Sequence, residues 1–274
     1  NLLKNSESTR AFIKLGGDMQ EMFSQGAVLI FGATGGIGQH VAMEFAKAGA
    51  DLALIWRSKE DVAKDIAAQA EALGRKVSLH HCDVTEDGAA GRALAEAAEI
   101  HGRVHTLVWG AGPLVDQVKI ADVTTEQWKR AINTEVNGFF AAAQASILHM
   151  RENGGGSLVH LGSAGDWKFP DEDVLSVSPK AANESLIQGI AREEGRNQIR
   201  ANSVLVGVIE AGMFLELTKK GHFDETWVTE VHKNLALKRW GQPEEIGHAA
   251  VFLASNRAAY VTGQQISVSG GYGI

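Results

Sequence analysis

The sequence predicts an α/β fold built as one doubly wound parallel sheet of about seven strands with helices on both faces. Three observations lead there. Short aliphatic runs alternate with longer Ala-rich segments of helical period, the rhythm of strand–helix–strand units. The first run leads into a glycine-rich turn that opens a helix. No low-complexity linker, and no repeat beyond the alternation itself, divides the 274 residues, a length that one large α/β domain can fill.

In chain order, AVLIF (27–31), DLALIW (51–56), KVSLHHCDV (76–84), VHTLVW (104–109), SLVHLGS (157–163), RANSVLV (200–206) and QQISVS (264–269) read as strands. Most are nearly continuous apolar runs, as strands covered on both faces require. The intervening segments read as helices, with Thr124 to Arg151 as one long helix. Residues 208–241 lack a clean period and carry Phe214, Phe223, Trp227 and Trp240 among charges. A long aromatic-bearing insertion of this kind is expected as a substrate lid, with a subunit contact as the equal alternative. Residues 1–25 read as an appended arm that packs on the body or on a neighbour, and 26–274 as the domain.

Composition narrows the function classes. A net charge of −7 and a pI near 5.8 argue against general nucleic-acid or anionic-membrane binding, while leaving room for a local basic pocket. The lone Cys82 excludes an internal disulfide. No apolar run reaches membrane-spanning length, and the polar start NLLKNSESTR lacks a signal-peptide core, so a soluble cytoplasmic protein is expected. No metal site is expected.

The stretch FGATGGIGQHVAMEFAKAG places Gly32, Gly36 and Gly38 between a strand and a helix. There the backbone can approach a pyrophosphate, and free N–H groups with the helix dipole favour an anion. The second strand then sets which dinucleotide fits. A carboxylate at its end would hold a ribose diol, but it ends IWRSK. Arg57 and Ser58 suit a ribose 2′-phosphate, so NADP is favoured over NAD; Arg57 as an ordinary solvated residue is the plain alternative. Asp83, in HCDV, can accept from an adenine amine or cap the turn ahead of Thr85.

At this point the chain resembles the short-chain dehydrogenase/reductase family from Gly26 onward. The residues that carry the likeness are GATGGIG, CDVT, GSLVHLGSAG, SPKAA, RANSV and the tail RWGQPEEIGHAAVFLASNRAAYVTGQQISVSGG. The resemblance implies a Rossmann-type sheet, a nicotinamide cofactor, and a homodimer or homotetramer packed through two long helices, here GFFAAAQASILHM and the helix after Ser176. It adds Thr34, Ile37, Val84, Gly110 and Ala111 to the cofactor contacts. It also places the nicotinamide beside Gly207 and Ile209, where Val206 stands in for the usual proline.

The same resemblance exposes a departure. The family pattern of Ser, Tyr and Lys falls on Ser163, Ser176 and Lys180, so the tyrosine is a serine. The assisting asparagine falls on Glu135, and the usual Asn-Asn-Ala-Gly reads WGAG at 109–112. An alkyl hydroxyl is a far weaker acid than a phenol, so the proton is expected to come by a relay through water, Lys180 or Glu135. The sequence is similar here to the dienoyl-CoA reductase branch, which also has a serine at this place. That branch's added tyrosine and asparagine are replaced by Gly165 and Pro113, and the chain's only tyrosines, Tyr260 and Tyr272, are not expected to substitute within one subunit.

Three readings follow. The first is an NADPH-dependent oxidoreductase acting on a carbonyl or enoyl group of a small hydrophobic substrate. The second is an inactive NADP-binding partner protein. The third is a non-redox lyase or hydratase using Glu135, His160 or Asp166, although alternation makes His160 a satisfied core residue. Ser176 and Lys180 share a face if the helix already includes Ser176. Pro179 is expected in that helix's first turn, with Ser178 as the alternative N-cap.

Overall fold

The computed structural model describes residues 22–274. The expected arm lies outside the described residues except for its last four positions.

The seven expected strands form one sheet. They are β1 (Ala27–Phe31), β2 (Asp51–Trp56), β3 (Val77–His81), β4 (Val104–Trp109), β5 (Gly156–Ser163), β6 (Ile199–Val206) and β7 (Gln265–Val268). Their order is β3-β2-β1-β4-β5-β6-β7 and every pairing is parallel. Chain direction therefore switches between β1 and β4, which opens a crevice beyond the carboxyl ends of those strands. β3 is shorter than 76–84 because the chain turns at Cys82, and Asp83 and Thr85 close a local turn there.

Burial explains the apolar runs, since every residue of β1 and β4 is buried. Helices α1 (Gly38–Lys47), α2 (Glu60–Ala72) and α9 (Pro243–Ala254) pack Val41, Phe45, Ile66, Ile246 and Leu253 on one face. Helices α3 (Ala89–His101), α5 (Gly138–Glu152) and α6 (Val174–Glu194) pack Leu94, Phe139 and Ile187 on the other. Their many alanines let helix and sheet approach closely at little side-chain entropy cost. No helix of the described residues is long and apolar enough to cross a membrane.

Two expectations on helices are corrected. The single helix expected over 124–151 is α4 (Thr125–Ile132), a π turn at Asn133–Asn137, and then α5. Thr124 and Gln127 close a capping box on α4, and the widened turn carries Glu135. In α6, Asp173 is the residue before the helix, Ser176 lies inside it, and Pro179 is its sixth residue, in the second turn rather than the first. Proline there removes one N–H from the helix ladder, a loss tolerated close to a helix start. Between β6 and α9, the irregular segment folds as α7 (Gly212–Lys219) and α8 (Glu225–Asn234), with Phe214, Phe223, Trp227 and Trp240 stacked on one another.

Candidate active site

Four elements converge at the carboxyl end of β5. The strand ends at Ser163, whose Oγ accepts a hydrogen bond from the Gly165 N–H at 3.0 Å. Ser176 and Lys180 are one turn apart on α6, so they share a face. The π turn brings Glu135 to that face, and its Oε1 lies 3.1 Å from Lys180 Nζ. The Glu135 side chain is 5% exposed and that of Lys180 17%, so the pair is largely removed from water. Gly112 makes room for it, because a side chain there would overlap the Glu135 carboxylate. Asn183 Nδ2 donates to the Glu135 carbonyl at 3.1 Å, tying the π turn to α6 a second time.

Behind this pair lies a buried polar chain. His160 Nδ1 is 2.8 Å from Glu184 Oε1, and Gln265 Nε2 donates to Glu184 Oε2 at 3.0 Å. Burial pushes Glu184 up, but His160 together with the hydrogen bonds of Gln265 and Ser203 outweighs it and leaves the carboxyl below its ordinary value. His160 is fully buried and partnered, a core histidine as the strand alternation predicts.

Two further carboxyls surround Lys180 and behave differently. Burial, helped by the nearby Glu184 charge, pushes Asp166 up to about 6, against the opposing pull of His160 and Lys180. Its Oδ1 is buried without a hydrogen-bond partner. Burial also raises Asp173, although Gln117 Nε2 donates to its Oδ1 at 3.0 Å and Lys180 pulls it down. Tyr272 is raised by burial and by the Asp173 charge, so the C-terminal segment comes up to this same rim. Asp173 and Gln117 were not among the residues singled out in the sequence. An aspartate one turn before Ser176 reads there as a helix-start residue, and nothing in the sequence pairs it with Gln117.

The remaining expected residues line the other side of the crevice. Gly32, Thr34, Gly36, Ile37 and Gly38 form the turn from β1 into α1, closed by the Gly35 N–H on the Gly32 carbonyl at 2.9 Å. No side chain caps α1, and the Gln39 N–H in its first turn bonds the Gly35 carbonyl at 3.1 Å. Gly110 and Ala111 leave β4 beside it, the Gly110 N–H bonding the Phe31 carbonyl at 3.0 Å. Val84 packs on Gly138 at the start of α5. Asp83 Oδ1 accepts from both the N–H and the hydroxyl of Thr85, so the capping role is the one its hydrogen bonds display. Arg57 and Ser58 are exposed just past β2, and the Arg57 guanidinium makes no ion pair among the described residues. Gly207 is bonded to the Val268 carbonyl at 3.1 Å, and Ile209 bridges to Gly241.

A nicotinamide dinucleotide suits this crevice in its glycine turn, its uncapped helix start and a lysine at its inner end. One contact closes part of it. The backbone of Gly212 rests on Gly36, so that any side chain on Gly36 would overlap it. The pyrophosphate seat is therefore covered by the segment that leads from Ile209 into α7.

A glycine turn that opens a helix at the switch point of a parallel sheet is the arrangement of a dinucleotide-binding α/β protein. Comparison with known proteins narrows the class. A family model described as enoyl-(acyl carrier protein) reductase matches residues 32–273. The NADP-dependent mannitol dehydrogenase of Alternaria alternata is 32% identical over 262 residues, covering 93% of this chain and 96% of that protein. The 3-oxoacyl-acyl-carrier-protein reductase of Thermotoga maritima is 32% identical over 244 residues, with coverage of 89% and 96%. A short-chain type dehydrogenase/reductase from Mycobacterium ulcerans superposes with a TM-score of 0.85 at 29% identity, covering 92% of this chain and 90% of that one. The chain belongs to the short-chain dehydrogenase/reductase family.

Proposed function

We propose that the protein is an NADPH-dependent reductase of a carbonyl or activated enoyl group on an apolar substrate, with its proton held by carboxyl groups around Lys180 instead of by a phenol. The observation that carries this reading is the buried Glu135–Lys180 pair beside Ser163 and Ser176. It keeps an ammonium at the family's lysine position and adds an acid where none is usual. When bound, the nicotinamide supplies the reducing equivalent. The chain's own task is the developing oxyanion: Ser163 and Ser176 donate hydrogen bonds to it, and Lys180 stabilises it electrostatically. Asp166 and Asp173, whose surroundings favour their protonated forms, are the groups from which a proton is passed on.

The preference for NADPH rests on the free Arg57 guanidinium and on the absence of an acid at the end of β2; the mannitol dehydrogenase relative is NADP-dependent by name. An apolar substrate is supported by the rim. Ile120, Trp167 and Phe169 are 76%, 50% and 57% exposed on the loops after β4 and β5. The stacked aromatics of 208–241 stand over the same mouth in our reading of that segment as a lid. Exposed Phe140 and Leu148 on α5 support a homodimer or homotetramer built on that helix.

A second reading is favoured by two observations. With Gly212 on Gly36 and serine for tyrosine, the chain also suits a dinucleotide-binding protein that turns over slowly or not at all. The test is NADPH oxidation across a panel of apolar ketones and enoyl thioesters, with Lys180→Ala and Ser176→Tyr. Turnover abolished by Lys180→Ala supports the reductase. Tight NADPH binding without turnover in either wild type or Ser176→Tyr supports the binding protein.

A further inference from the structure

A second cavity lies at the opposite edge of the sheet from the crevice described above. Its volume is about 620 Å³, and it is lined where the chain enters β1, β4, β5 and β6, by Phe23, Arg103, His105, Ser157 and Arg200, with Tyr260 at its rim. β5 is eight residues long, so this cavity and the active-site crevice are separated by the length of a strand, roughly 25 Å.

Its charge is one-sided. Among the described residues no carboxylate lines it, although the chain as a whole is acidic, and Asp51 acts on it from outside the lining, its charge opposing the lowering of the His105 pKa. Arg103 gives one hydrogen bond, from Nη2 to the Gly155 carbonyl at 2.8 Å, and its Nε is buried without a partner. Arg200 spends its donors on the carbonyls of Leu253, Ala254, Ser255 and Val261 at the end of α9 and just beyond. Neither guanidinium pairs with a carboxylate among the described residues, and burial lowers both. Both are half-buried, so their charge is only partly screened by water and adds to a positive field inside the cavity.

The histidine adds a directed donor. His105 is 4% exposed and its ring stacks on Phe23. Nδ1 lies 2.9 Å from the hydroxyl of Thr106, while Nε2 is buried without a partner. Burial, and then the Arg103 charge, push His105 down to about 4, so the ring is neutral at physiological pH. In the tautomer where the Thr106 hydroxyl donates to Nδ1, the proton sits on Nε2, which is then a second donor without a partner, beside Arg103 Nε. Each such donor left unpaired is unfavourable, and an acceptor in the cavity would relieve it.

We infer that this cavity is a second ligand site, one that takes an oxyanion, a phosphate or carboxylate group borne by a small molecule, through Arg103 and His105. It is independent of the dinucleotide crevice and does not rest on the proposed activity. Arg200 contributes field but no free donor. The cavity exceeds the size of a bare phosphate, so the anion is expected to be one end of a larger ligand whose apolar part meets Tyr260 at the rim.

The test uses the full chain and follows the His105 ring resonances by NMR during titration with inorganic phosphate and, separately, with citrate, at constant ionic strength and with NADPH present to occupy the other crevice. Saturable shifts of His105 are expected, together with an upward move of its titration midpoint, since a bound anion stabilises the imidazolium. Arg103→Met should weaken binding roughly tenfold or more, with Arg103→Lys falling in between. Stronger binding of phosphate or of citrate assigns the source as phosphate ester or carboxylate. Thermal melts identify any variant that fails to fold, and the wild-type midpoint then decides alone. No saturable His105 shift, or shifts equal in wild type and a folded Arg103→Met, would overturn the proposal.

Discussion

Between β1 and α1 the chain is positioned by backbone against backbone, with Gly36 under Gly212 and the Gly110 N–H on the Phe31 carbonyl. Between the π turn and α6 it is positioned by charge, with Glu135 on Lys180 and Asn183 holding the turn's carbonyl. The first arrangement depends on the absence of side chains and tolerates only glycine. The second depends on two side chains 45 positions apart and fails when either is removed. One side of the crevice should therefore fail on gaining a side chain and the other on losing one, and each variant below tests a part of that contrast.

The largest effect is expected from Lys180→Met. It leaves Glu135 as an uncompensated charge that is 5% exposed, and breaking a buried pair in this way costs about 3–5 kcal/mol. At roughly 2–4 °C per kcal/mol for domains of this size, the melting temperature should fall clearly. Adding Glu135→Gln should restore most of the loss, because a neutral amide can be buried at lower cost. If the double variant melts no higher than Lys180→Met, charge is not what holds the π turn to α6.

On the dinucleotide side, Arg57→Ala should weaken NADPH binding by about 1.5–3 kcal/mol and leave NADH unchanged, since a charge-assisted contact to a 2′-phosphate is lost while the backbone cradle is kept. Fluorescence titration of both cofactors decides it. Equal affinities in the wild type would remove the reason for preferring NADPH.

A smaller cost is expected from Gly36→Ala. The new methyl overlaps the Gly212 backbone, so either α1 or the segment 209–212 must shift, at about 1–3 kcal/mol of overpacking. A melting temperature equal to wild type would show that 209–212 yields freely, and the backbone side of the comparison would then be soft. In that case the closed contact over Gly36 offers no resistance to a dinucleotide.

These expectations also mark what the residue order discloses. The sheet was legible because parallel strands buried on both faces must be apolar throughout, and the crevice followed from Gly32, Gly36 and Gly38 lying between a strand and a helix. Ser163, Ser176, Lys180 and Glu135 were implied only by the resemblance to the family's pattern, and the structure brings Glu135 onto Lys180. The π turn was not legible, because NTEVN has no residue that forbids an ordinary helix; the extra residue is accommodated by tertiary contacts from Asn183 and Gly112. Pro179 suggested a helix start that α6 overrides by beginning five residues earlier. The raised proton affinity of Asp166 and Asp173 was out of reach, since burial and neighbours from other elements set it.

That affinity gives the smallest and most specific expectation. Asp166, raised to about 6 from an ordinary 3.8, takes up its proton more readily in the fold than in the unfolded chain. Its contribution to stability is therefore fully present below about pH 4 and is lost as the pH climbs through about 6, with no further change above. Glu184, held below its ordinary value, runs the other way and loses its contribution as the pH falls, so the melting curve of the wild type alone is a mixture of the two. Comparison with Asp166→Asn removes most of the mixture, because Glu184, His160 and Lys180 remain in both proteins while only one carries the titrating carboxyl. The melting-temperature difference, wild type minus variant, should be level in acid, decline between about pH 4 and pH 6, and level off again. Asp166 keeps some contact with solvent, which screens the effect and makes a decline of a few degrees the realistic expectation. A difference that stays flat across that window would mean that Asp166 is an ordinary surface acid, and the proton reservoir beside Lys180 would reduce to Asp173.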